Sequence, residues 1–209
     1  MLSQTTRQSE RGRPVNIKAR EQRRMQILYG ARHCFIDNGF DGASISQIAN
    51  QAGVSVANIY QYFESKESMI HALIEYNLEI DLLKIQAMNA TMYEAKALRR
   101  YMHSNFADDN HIEGVRLMQE IISEATRSDE VANLLKETER KAGIALMEGL
   151  SNAIPSGHIS PTLDPLDAAR KISYFHNGMI ARLAITPSLR EKLADQFTDF
   201  ILETLNNSK

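Results

Sequence analysis

Apolar residues recur along this chain at spacings of three and four, the period of a helix with one buried face. Leu28, Ala31 and Phe35 set that rhythm in a first helix expected over about 17–38, with Gly39 as its C-terminal stop. Ile45, Ile48, Ala49 and Ala52 then give one apolar face to a very short helix. Ser44 can cap it, and Gln47, three residues on, can complete a capping box. Gly53-Val54-Ser55 interrupts the pattern, with Gly53 suited to a left-handed turn and Ser55 to capping a further short helix over 56–62. In that helix Val56, Ile59, Tyr60 and Phe63 repeat the spacing, which puts Tyr60 on the buried face. Two helices of about two turns cannot each bury a face alone, but they can pack crosswise on a longer one. The pattern is a helix-turn-helix.

Ser65 can cap a long helix running to about residue 88, with Ile70, Leu73, Ile74 and Leu78 inward, as a connector to a second domain. Further helices are expected over about 91–107, 112–127, 129–153, 165–185 and 188–206. Residues 155–161, with Pro155, Gly157 and Pro161, are too rich in breakers to be helical. No strand alternation and no internal repeat is visible, so the fold class is all-α. The expected units are a flexible basic arm over 1–16, a three-helix helix-turn-helix domain over 17–66, and a larger helical domain over 67–209.

Composition narrows the setting. A chain of 209 residues, 43% hydrophobic, can bury its cores without crosslinks. The single cysteine, Cys34, excludes an intramolecular disulfide and reads as core packing, in keeping with a reducing compartment. No run of about 18 apolar residues could span a bilayer, and the polar N-terminus lacks a secretory signal, so a cytoplasmic protein without a membrane partner is expected. The net charge of −2 hides an asymmetry: residues 1–66 hold nine Lys/Arg against five Asp/Glu, the remainder fifteen against twenty-one. A basic end on an acidic body suits binding of a polyanion by one face. Arg11-Gly12-Arg13-Pro14 can lie in a minor groove.

In a helix-turn-helix the second helix enters the major groove while flanking hydroxyls and cations hold phosphates. Val56, Ala57, Asn58, Gln61 and Tyr62 are free to meet DNA there. Asn58 and Gln61 can donate and accept together, matching adenine N6 and N7, and Val56 and Ala57 can pack on a thymine methyl. Ser44, Ser46, Ser55, Tyr62 and Lys66 are candidate phosphate partners, and Tyr60 is a further candidate contact. Enzymatic chemistry finds little support: there is no His-Glu-x-x-His, no phosphate-binding Gly-rich loop, no Gly-x-Ser-x-Gly and no metal-ligand pairing of the six histidines. Glu120 and Glu124 stand one turn apart but read as a solvated face. No cofactor and no metal are expected. A module that uses the helix-turn-helix only as a protein-binding scaffold is the other alternative, and salt dependence separates the two.

The stretch from about Arg24 to Leu73 resembles the TetR family, through Ile27, Ala31, Phe35, Gly39, Phe40, Ile48, Ala49, Ala52-Gly53-Val54-Ser55, Ile59-Tyr60-Gln61-Tyr62-Phe63, Ser65-Lys66 and Leu73. The resemblance implies a transcriptional regulator, most commonly a repressor, released from its operator by a small-molecule effector. It places Ser55, Val56, Ala57, Tyr60, Gln61, Tyr62 and Lys66 at DNA-contacting positions, Tyr60 and Lys66 on phosphates. Relatives often carry lysine at the position of Val56, and glycine or threonine at Ala57 or Asn58, so base preference does not transfer. The resemblance also makes residues 67–209 an effector-binding and dimerisation domain, whose last two helices form a four-helix bundle with a second copy. Stripes of Ile172, Phe175, Met179 and Leu183, and of Leu193, Phe197, Phe200, Ile201 and Leu205, are compatible with that bundle. The homodimer would read a palindromic double-stranded DNA operator. The effector pocket is expected among the middle helices, from Met92, Met102, His103, Phe106, Met118, Met147, Phe175, His176 and Met179, with Met88, Tyr93, Asn105 and Asn177 nearby.

Overall fold

The computed structural model describes residues 17–157 and 159–206, and all regular structure among them is helical. The basic arm expected over 1–16, with its Arg11–Pro14 segment, lies outside the described residues. Helix α1 runs Ile17–Gly42, but Gly39 breaks it with φ 70° and ψ 168°. The expected stop is therefore a kink followed by one more turn. That conformation, natural only to glycine, folds Phe40 back against Phe35, with ring centroids 5.4 Å apart.

Helices α2 (Ile45–Ala52) and α3 (Val56–Ile59) follow, and α4 (Lys66–Thr91) climbs away from them. Helices α5 (Ala95–Ala107), α6 (Asp109–Ala125), α7 (Asp129–Ala153), α8 (Pro165–Ile185) and α9 (Arg190–Asn206) complete the chain. The starts of α4, α6, α7 and α8 are set by side-chain caps: Ser65 accepts from Ser68 N, Asp108 from Asn110 N, Ser128 from Val131 N, and Asp164 from Leu166 N and Asp167 N. Because Asp108 caps so early, α6 begins three residues before its expected start. Helix α4 overruns its expected end to Thr91, which delays α5 to Ala95. Within 155–161, expected to be irregular, a single 3-10 turn covers Ile154–Ser156 and ends at Gly157, φ 75°.

Two cores result. The smaller unites Ile27, Phe35, Ile48, Ile59 and Leu73 of the first four helices, and it also takes in Leu117 and Ile121 of α6 and Val131 of α7. The N-terminal helices thus do not close a core by themselves; the larger unit supplies part of it. Cys34 is free and buried in this core, and burial together with Asp37 pushes its thiol up. The larger core joins the end of α4 to α5–α9 around Leu98, Phe106, Leu150, Leu183 and Ile201.

One expectation is corrected here. Ile172, Met179, Leu183, Leu193, Phe197, Ile201 and Leu205, read from sequence as an intermolecular seam, are buried within the chain's own core. Helix α8 packs on α6 and α7, and α9 on α5, so their broad stripes are used intramolecularly. What α8 leaves exposed is a different set: Leu166, Tyr174 (69% exposed), Gly178, Ala181 and Ile185 (75% exposed), of which Leu166, Tyr174 and Ala181 also line a cavity.

Candidate nucleic-acid interface and ligand cavity

The turn between α2 and α3 is built by local chemistry. Ser44 accepts from Gln47 N while the Gln47 Oε1 accepts from Ser44 N at 2.8 Å, the reciprocal box expected from sequence. Gly53 adopts φ 64°, ψ 36°, and its N–H closes on Ala49 O and Asn50 O. Ser55 then caps α3 by accepting from Asn58 N at 3.1 Å. Two residues that the sequence reading passed over fix this unit to α1. Gln26 donates to Ala52 O at 2.6 Å, and Gly30 lies so close to α2 that an added Cβ would sit 2.9 Å from Ala52 N. Neither is signalled by periodicity; both depend on where two helices cross.

Helix α3 is only one turn long, and the chain turns through Tyr60–Tyr62 before Phe63. Ile59 and Phe63 anchor it on the core. A helical period cannot be extended through a turn, so Tyr60 is not on the buried face: it is 55% exposed. Tyr62 is half-buried instead, beneath the Arg20 guanidinium, 5.9 Å from its ring centroid. The outer surface of the unit therefore carries Val56, Ala57, Tyr60 and Gln61, with Ser44, Ser46 and Ser55 also exposed. Asn58 is half-buried and donates to Gln61 Oε1 at 3.0 Å, so the two amides form one preset pair. Exposed Lys18, Arg20 and Arg23 of α1 bring cations to the same end of the molecule. Lys66 is engaged: its Nζ donates to Phe40 O at 2.8 Å and Asp41 O at 3.4 Å, above the Phe40 ring. That ammonium closes the end of α1 against the start of α4.

A cavity of about 1460 Å³ opens between α1, α4 and the helices α5–α8. Five residues expected there line it: Met102, Phe106, Met118, Met147 and His176. Asn105 and Asn177 line it too, as does Met88. Four expected residues do not. Met92 and Met179 are sealed in the surrounding core, and Phe175 stacks on Phe200 and Phe197 with centroids 4.2 and 6.0 Å away. His103 faces outward, its Nε2 2.9 Å from Asp195 Oδ1, beside the Arg99 pairs to Asp195 and Asp199. The reason is helical phase: α5 turns Leu98, Met102 and Phe106 inward, and a residue one position later points about 100° away.

Lys84, Asp81, Tyr101 and His111 line the cavity without having been expected. Tyr101 Oη donates to Lys84 O at 2.8 Å, and Lys84 Nζ stands 3.3 Å from His111 Nδ1. Burial, then the Lys84 ammonium and His176, push His111 down to about 4 from 6.5. Burial likewise lowers Lys84 and raises Asp81. Their separation in sequence hid them, since nothing in a helical period links Lys84 with His111. Among the described residues no group of three or more His, Cys, Asp or Glu could hold a metal ion, and no helix is long and apolar enough to cross a membrane.

Residues 27–73 match the family model of bacterial regulatory proteins, tetR family. The chain is 27% identical over 172 residues to the HTH-type transcriptional regulator UidR of Escherichia coli K12, covering 80% of this chain and 85% of that protein. Its fold resembles Salmonella enterica GusR at 25% identity and a TM-score of 0.66, covering 86% of this chain and 95% of that one. It also resembles the Bacillus subtilis regulator FadR solved with stearoyl-CoA, at 22% identity and a TM-score of 0.66, over 87% of this chain and 99% of that one.

Proposed function

Because the chain belongs to the tetR family of bacterial regulatory proteins, we propose that this transcriptional regulator is a homodimeric repressor whose hold on a palindromic operator is released by a small molecule in the cavity. It acts by binding rather than by turnover. The observation that carries the reading is the outer surface of the helix-turn-helix. Val56, Ala57, Tyr60 and Gln61 are held outward by a fully packed reverse side, on a unit whose turn is fixed by Gly53 and Ser55. Preset amides and exposed hydroxyls on a rigid support lower the cost of docking into a groove.

In this reading residues 17–66 form the DNA-binding unit and 67–209 the effector and dimerisation unit. Ser44, Ser46, Ser55 and Tyr60 hold phosphates, while Val56, Ala57, Asn58 and Gln61 face base edges. Tyr62 and Lys66 act from beneath, Tyr62 by packing under Arg20 and Lys66 by bracing α1 on α4, as well as from the groove edge. Exposed Gly178 and Ile185 of α8 seat the second copy, beside Leu166, Tyr174 and Ala181, which also line the cavity. Coupling between the ends has physical routes. Helix α4 begins at the recognition unit and reaches the cavity at Lys84 and Met88, and Arg32 of α1 donates to Asn110 O at 3.0 Å and pairs with Glu113 at 3.4 Å on α6. A ligand shifts DNA affinity only by binding one spacing of the recognition units better than the other, typically about 5- to 150-fold.

The test is selection of the purified full-length chain against a randomised duplex pool, followed by sequencing. The proposal expects an enriched palindrome bound by two protomers. A pool that emerges without sequence preference contradicts it.

A further inference from the structure

Buried polar groups nearly always have partners, so a cavity wall carrying unpartnered donors indicates the chemistry of what fills it. Lys84 Nζ lies 3.3 Å from His111 Nδ1, and among the described residues no carboxylate lies within ion-pair distance of that ammonium. An ammonium only donates, so Nδ1 accepts and the ring proton belongs on Nε2. That Nε2 is buried with no hydrogen-bond partner, in a residue only 8% exposed.

The other charged or titratable groups facing this spot are Arg32, Asp81, Asp108 and His176. Arg32 donates to Asn110 O and stands 3.4 Å from Glu113, with its Nε and Glu113 Oε2 lacking hydrogen-bond partners, and Asp108 accepts from Asn110 N at 2.9 Å and Asn110 Nδ2 at 3.0 Å. Asp81 stands one turn before Lys84 on α4, within electrostatic reach but not ion-paired with it, and burial raises its carboxyl. Lys84 thus brings an ammonium to the cavity wall with an imidazole nitrogen in place of a carboxylate as its partner, while His111 Nε2 points away on the far side of the ring. Beyond them the wall is apolar, formed by Met88, Met102, Phe106, Met118, Met147 and Ile180.

We propose that the ligand of this cavity is an organic monocarboxylate with an extended apolar body, its carboxylate accepting from Lys84 Nζ. The apolar body lies along the methionine-rich wall, whose flexible side chains adapt to its shape. A monoanion fits better than a dianion, because the Asp108 carboxylate opposes a second negative charge. A neutral ligand would leave the ammonium buried and unpaired. This inference rests on the reading of the cavity as the effector site, and it makes Lys84, on the helix that reaches the recognition unit, the residue that senses the ligand's charge.

The experiment titrates the full-length protein by calorimetry and thermal shift with octanoate, dodecanoate and cinnamate, each against the alcohol of the same skeleton, and with dodecanoyl-CoA. At least one acid should bind roughly 10- to 100-fold more tightly than its alcohol, the loss expected for one charge-assisted hydrogen bond. Lys84→Gln should erase that preference, and Lys84→Arg should restore most of it. The restored variant guards against a fold-loss explanation. Equal binding of acid and alcohol, a preference that survives Lys84→Gln, no binding of any acid, or binding of the coenzyme A thioester alone would overturn the proposal. Release from the selected duplex is measured in parallel. An acid that binds through Lys84 but leaves DNA affinity unchanged upholds the ligand class and refutes the effector reading. Release by the neutral alcohols as readily as by the acids upholds the effector reading and refutes the ligand class.

Discussion

The two ends of the molecule use polar side chains in opposite ways. At the recognition unit the polar groups are exposed and already bonded to one another: Ser44 with Gln47, Ser55 with Asn58, Asn58 with Gln61. At the cavity, Lys84 and His111 are withdrawn from water: the ammonium has an imidazole nitrogen in place of a carboxylate, and His111 Nε2 has no hydrogen-bond partner. The first arrangement is rigid before any partner arrives, as suits a surface that must present one shape to many duplexes. The second holds a deficit that a ligand can fill, and its binding can therefore be coupled to a change of structure.

The most forceful way to probe this contrast is to truncate the core shared between the ends. Phe35→Ala removes a fully buried ring from the smaller core, with an expected loss of about 3–5 kcal/mol by denaturant unfolding. Because Leu117, Ile121 and Val131 belong to that core, one cooperative transition should shift rather than an isolated N-terminal one. A separate early transition would mean that the two ends are not welded.

Acid should act mainly at the cavity. His111 is held neutral down to about 4, whereas the unfolded chain protonates near 6.5, so between these values the unfolded state binds more protons. Stability is therefore complete above about pH 6.5 and falls as the pH drops towards 4, by on the order of 3 kcal/mol from this residue. His111→Phe should remove its share of that slope and leave the share of His176, which burial likewise pushes down to about 4; an unchanged slope would assign the whole to other groups.

Smaller in stability, but aimed at the other end, is Gly30→Ala. Its new methyl meets Ala52 Cβ and backbone N, both at 2.9 Å, and must push α2 off α1 at a cost of about 1–3 kcal/mol. DNA affinity should fall with it, because α2 carries Ser44 and Ser46. The least perturbing change is Tyr60→Ala with Gln61→Ala, expected to alter stability by less than about 0.5 kcal/mol per site, since both are exposed, while weakening DNA binding strongly. A stability loss of several kcal/mol would return Tyr60 to the core.

These regions also differ in how far their residues announce them. The capping box at Ser44, the left-handed Gly53 and the cap at Ser55 act within four residues of chain, so their spacing alone specifies the turn. The helix-turn-helix and the all-helical class were legible for that reason. Tyr60 was misplaced because a period of 3.6 was carried past Ile59, where the helix ends. The apolar stripes of α8 and α9 looked like a seam between subunits, because a stripe shows how much surface is buried but not by which neighbour. In the cavity, Met102, Phe106, Met118 and Met147 followed from an apolar phase in the middle helices. Lys84 and His111 did not, since only the packing of α4 on α5 and α6 brings them together.

The central claim is that the surface of Val56, Ala57, Tyr60 and Gln61 grips duplex DNA through its phosphates and bases. Its most direct test is titration of the selected duplex at roughly 50 and 200 mM salt with the full-length chain. If about 6–10 phosphates are contacted, affinity should fall about 10³- to 10⁵-fold between the two conditions, with two protomers bound per duplex. Affinity that barely changes with salt, or a single protomer bound without sequence preference, would contradict the account.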